Sequence, residues 1–145
     1  MAASVVEQIL ARVALALMNA TDAAERVERG RVDAVAIDDQ PTLNIRRGSS
    51  NEDPRGDKGG VLAVAWDIEH LVAVNEEWET AVDALHMQVH AVLAADTALA
   101  VLGRGLRCSA TDPQGDSAER IIGRLTARYQ MQVFIRPGDL TRAIN

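Results

Sequence analysis

The chain has one cysteine, Cys108, in 145 residues. An intrachain disulfide is excluded, and a reducing compartment is expected. Aromatic residues make up only 3%, so the core has to be built from small aliphatic groups. Such a core favours burying part of the apolar surface between subunits. Basic charge is also short: 15 Lys and Arg stand against 21 Asp and Glu, a net charge of −6. Phosphate recognition needs clustered Lys and Arg, so no nucleic-acid partner is expected. No apolar run reaches bilayer-spanning length, and the N-terminus lacks the basic start and cleavage site of a secretory leader. The expectation is a chain without a membrane partner, made in the cytosol and working there or in something assembled there.

What is present is hydrophobic patterning. Apolar residues make up 48%, enough for one core, and the length predicts a single domain over 1–145. The clearest periodicity runs from Leu125 to Arg136. Leu125, Ala127, Tyr129, Met131, Val133 and Ile135 occupy alternate places, with polar residues between them and only Phe134 out of phase. A period of two predicts a long strand with one buried face, starting between Ser117 and Leu125.

Ser4–Asn19 has the 3–4 spacing of an amphipathic helix, with Ser4 and Glu7 placed as a capping box. Ala20–Arg31 reads as a charged edge strand or a helical tail, with the strand, ended by Gly30, favoured. Asp33–Gln40 reads as a connection, and Thr42–Arg47 as a strand. Gly48–Gly60 contains no apolar residue and predicts a flexible loop at 48–60. Val61–Val74 reads as the central strand. Asn75 is placed to cap a helix whose stripe is Trp78, Ala81, Val82, Leu85, Val89, Val92 and Leu93, ending near Ala95. Asp96–Leu102 predicts a short helical turn. Leu106–Thr111 reads as a strand, Asp112–Gly115 as a turn, and the sequence from Pro137 as a polar tail. The whole predicts an α+β fold: an antiparallel or mixed sheet of about four to five strands, with two main helices packed on one face.

Candidate chemistry is sparse. His86 and His90 lie four apart on a helix, with Asp83 a turn earlier, which is metal-ligand spacing. The HExxH arrangement is absent, and no third strong ligand is implied. His70 is expected at the surface or in an interface. Cys108 could act as a nucleophile only beside a base; its alternating strand predicts a buried structural thiol. Gly103-Arg104-Gly105 lacks a full phosphate-loop pattern. Asp38 with Asp39, and Asp67 with Glu69, lack the basic partner that acid–base work requires. The 48–60 region is either a solvated loop or an assembly loop. Arg46, Arg47, Arg55 and Lys58 against Glu52, Asp53 and Asp57 suit pairing with a copy of the chain.

The order of elements resembles the tail terminator proteins of long-tailed bacteriophages, the minor tail protein U-like group. The resemblance rests on VVEQILARVALALM, on VLAVAWDIEHLVAV running into EEWETAVDALHMQVHAVLAAD, and on the closing ERIIGRLTARYQMQVFIRPGDL. It implies a structural protein of the virion tail, with neither catalysis nor cofactor. Such a protein forms a ring, typically of six copies, on the tail tube and stops its polymerisation. The implied partners are further copies of itself, the major tail tube protein and the head-completion or connector protein. The assembly contacts expected here are Arg46, Arg47, Asp53, Arg55 and Lys58, with Asp38 and Asp39 as partners. The alternatives are a head–tail joining or tail completion protein of related fold, a small metal-dependent or hydrolytic enzyme using His86, His90 and Asp83, and an α+β ligand-binding or adaptor domain with a deep apolar pocket.

Overall fold

Ser4 starts the fold by capping the first helix. In the computed structural model, which describes residues 2–30, 40–54, 59–73, 77–117, 121–136 and 138–144, the Ser4 hydroxyl accepts from the Glu7 amide at 3.1 Å. Helix α1 spans Val5–Leu17 and buries Val5, Val6, Ile9, Leu10, Val13 and Leu17. Only half of the capping box forms. The Glu7 carboxylate turns outward and accepts from Arg29 at 2.6 and 3.1 Å.

Strand β1 (Val27–Arg29) is short and charged, and Gly30 follows it at φ +64°. It pairs parallel to β2 (Thr42–Pro54), from Val27 opposite Leu43 to Arg29 opposite Ile45. Strand β3 spans Gly60–Ala73, helix α2 Trp78–Ala95, helix α3 Thr97–Leu102, strand β4 Arg104–Ser117, β5 Ile121–Arg136 and β6 Asp139–Ala143. The sheet runs β1-β2-β3-β5-β4, with β6 paired to β5. Every pairing except β1 with β2 is antiparallel. The fold is α+β, and β3 is the central strand, as expected.

The core follows from the period of two. Leu62, Val64, Trp66, Ile68 and His70 of β3 are buried in one phase, opposite Ala127, Tyr129, Met131 and Val133 of β5. From α2, Val82, Leu85, Val89 and Leu93 join the same cluster as the buried stripe of α1. Helix α2 lies against β3, β4 and β5; α1 lies against β1, β2, β6 and the other two helices. Asp96 joins the helices twice. It accepts from the Leu99 amide at 3.1 Å to cap α3, and it receives Arg12 of α1 at 2.7 and 2.8 Å.

Four expectations change. The loop placed at 48–60 is strand as far as Pro54, paired with β3 from Ser50 opposite Val64 to Pro54 opposite Gly60. A run of polar residues says that side chains stand in water; it does not say that the backbone is unpaired. The break between Arg47 and Ser50 is a bulge. There a Cβ on Gly48 would lie 2.9 Å from the Ala65 carbonyl oxygen. The turn placed at Asp112–Gly115 is also strand, paired with Thr126, Leu125, Arg124 and Gly123. Pro113 is compatible with this because β4 is an edge strand. The polar tail forms β6, and the described sheet has six strands instead of four to five. Finally, His70 is fully buried. The expected cap at Asn75 lies outside the described residues; α2 opens from Glu77, which makes no side-chain cap.

Candidate functional site

Four elements gather the chemistry-bearing side chains in one place. The 3.6-residue turn of α2 sets His86 and His90 on one side. Strand β3 contributes His70, β5 contributes Tyr129 and β4 contributes Cys108. All 3 histidines, the 1 tyrosine and the 1 cysteine of the chain thus fall in one cluster. Trp66 stacks on Tyr129 at 5.9 Å, and Tyr129 stacks on His90 at 5.9 Å. His70 meets His86 edge-on at 5.1 Å.

Each polar atom constrains its neighbour. His70 Nδ1 lies 3.0 Å from both the Ile68 and Leu125 carbonyl oxygens. Two acceptors require a proton on Nδ1, so Nε2 carries the lone pair of the neutral ring. That Nε2 is buried without a partner, as are His86 Nδ1 and Trp66 Nε1. Burial lowers the His70 pKa to about 4, and His86 is lowered by burial and by His90. His90 Nδ1 is 3.2 Å from the Tyr129 hydroxyl, whose pKa burial raises.

Cys108 does have a base beside it, which its strand context did not foretell: Sγ is 4.0 Å from His86 Nε2. The pair is not activated. Burial raises the thiol pKa while the imidazole pKa falls, so the neutral forms are favoured on both sides. The thiol donates to the Ala110 carbonyl at 3.5 Å. Cys108 is half-buried instead of enclosed, and Ala110 is exposed beyond a second register break. Asp83 is exposed. Among the described residues, no three His, Cys, Asp or Glu side chains converge to hold a metal, so His86, His90 and Asp83 do not form the set their spacing suggested.

The expected assembly residues are partly placed. Arg46, Arg47 and Asp53 are exposed along β2. Arg46 reaches Glu69 at 3.5 Å. Arg55, Lys58, Asp38 and Asp39 lie outside the described residues. The Asp67 and Glu69 pair does have basic partners: Asp67 receives Arg128 at 3.0 Å, and Glu69 has Arg124 at 3.8 Å besides Arg46. These residues form a ladder of ion pairs across β2, β3 and β5. Its acids are two residues apart on β3 and its arginines four apart on β5, a signal that pairing the two long alternating segments would have revealed.

One cavity of about 410 Å³ lies where α2, α3 and β4 meet, lined mainly by Leu93, Leu99, Leu106 and Met131, with His90 and Arg104 among its polar groups. No helix among the described residues is long and apolar enough to cross a membrane. In comparison with known proteins, no family model and no curated protein matches the chain.

Proposed function

We propose that this chain is a ring-forming structural subunit of a phage tail, the terminator that caps the tail tube. Ring formation covers the growing end and offers a different surface to the head-side connector, so no further tube subunit adds. A head–tail joining protein of related fold would use the same surfaces one layer away. The observation that carries the reading is the sheet's pair of long open edges. Beyond Ile45 the outer side of β2, and along its length the outer side of β4, pair with no strand among the described residues. Long open edges are templates for another chain, which suits a protein that works by joining copies of itself and a tube.

The test is electron microscopy of tails assembled without this protein. The expected result is tubes well beyond normal length, shortened again when the purified protein is supplied during assembly. Tails of normal length in its absence would overturn the capping role.

The cavity favours a second reading, a binding domain for a small apolar ligand. Its volume lies in the range of small-molecule sites. A melting temperature raised by a panel of apolar acids, and left unmoved in a Leu99→Trp variant, would support that reading over the first.

A further inference from the structure

We infer that the outer edge of β2 over Arg46–Pro54 pairs antiparallel with the outer edge of β4, over Arg104–Asp112, of a second copy of this chain. Successive subunits then share one continuous sheet. The inference rests on the ring reading, and it specifies the contact that builds the ring.

Charge and height carry it. Along β2 the exposed charges run from basic to acidic: Arg46 and Arg47, then Glu52 and Asp53. Along β4 they run the same way: Arg104 and Arg107, then Asp112. The two strands point in opposite directions within the sheet, because three antiparallel pairings separate them. Register fixes their relative height. Asn51 is level with Ala63, Gln132 and Arg104; Asn44 is level with Glu69, Thr126 and Asp112. The acidic end of β2 therefore stands at the height of the basic end of β4, and the basic start of β2 stands near Asp112. A copy moved sideways along the sheet brings Arg104 and Arg107 to Glu52 and Asp53, and Asp112 to Arg46 and Arg47. Arg107 meanwhile reaches Gln130 at 3.0 Å and Arg104 lies over Phe134 at 5.8 Å; both stay exposed.

Two-fold pairing of β2 on β2 would match charge as well. It leaves β4 open, however, and combined with β4 on β4 it alternates two isologous contacts instead of repeating one. Only β2 on β4 repeats a single contact head to tail, the kind of contact from which a cyclic ring is built.

Charge exchange tests the contact. In sedimentation velocity and native mass spectrometry, E52K/D53K and R104E/R107E should each weaken self-association by about tenfold or more, with unchanged circular dichroism. Combining all four substitutions in one chain should restore association. Mixing the two double variants should also restore it, with strictly alternating composition and an even number of subunits. The pairing is overturned if neither the combined chain nor the mixture recovers, if R46E/R47E rescues E52K/D53K instead, or if the wild-type chain stays monomeric. These outcomes stand apart from the tail-length experiment. A ring indifferent to the exchanges removes this contact and not the capping role; tails of normal length remove the capping role and not this contact.

Discussion

His70 is the residue with most to say about pH. Folded, its pKa is about 4 because burial opposes the charge; unfolded, it returns to about 6.5. Between those values the unfolded chain binds the extra proton. The stability that neutral His70 permits is therefore complete above about pH 6.5 and falls as the pH drops toward 4, by up to about 3 kcal/mol. His86, also lowered by burial, acts in the same direction. Urea unfolding at pH 7.5 and pH 5 should show the loss, and a His70→Leu variant should lose most of the slope. A wild-type stability flat across that interval would contradict the burial of a neutral ring. Cys108 makes a parallel case. With its pKa raised by burial, it should react with a maleimide at pH 8 several times more slowly than a free thiol, and reach the free rate in denaturant.

At the scale of elements, helix α2 meets the sheet through a notch. Gly115 of β4 faces Gly123 of β5, and Trp78 fills the space above both. A Cβ on Gly115 would sit 2.7 Å from the Trp78 ring, and one on Gly123 2.9 Å from the Trp78 Cβ. Gly123→Ala should therefore cost about 1–3 kcal/mol by overpacking, measured by chemical denaturation. Asp96→Ala removes the α3 cap and the partner of Arg12 together, and should cost about 1 kcal/mol through the cap alone; Asp96→Asn should recover much of the cap contribution. The strands around this notch show what was legible. β3 and β5 could be read because one wet and one buried face alternate in a single sequence. Ser49–Asp53 and Asp112–Gly115 could not, because edge segments with wet side chains look like loops until their partner strand is known. His70 lay within reach, since it shares the phase of Trp66 and Ile68. An outward alternation for His70 is the wrong phase, and the period of two puts it on the buried face. The meeting of Cys108 with His86 depends on how α2 crosses β4, which no spacing along the chain encodes.

For the molecule as a whole, strand pairing thins from the middle of the sheet outward. β3 is bonded on both sides along its length and sits over the buried core, so its amides should exchange slowest with solvent, together with those of β5. Amides on the open sides of Arg46–Pro54 and of β4 should exchange fastest among the strands in a free subunit, and should slow at subunit concentrations where copies associate. Rapid exchange in β3, or slow exchange at both borders in a dilute monomer, would contradict this gradient. One small element shapes what those borders can accept. β1 covers β2 only to Ile45, and the Gly30 amide, donating to the Ile45 carbonyl at 2.8 Å, finishes the cover there. Any strand sliding along that border runs into a doorstop at Ile45, so the three residues of β1 set how deep a visitor can travel.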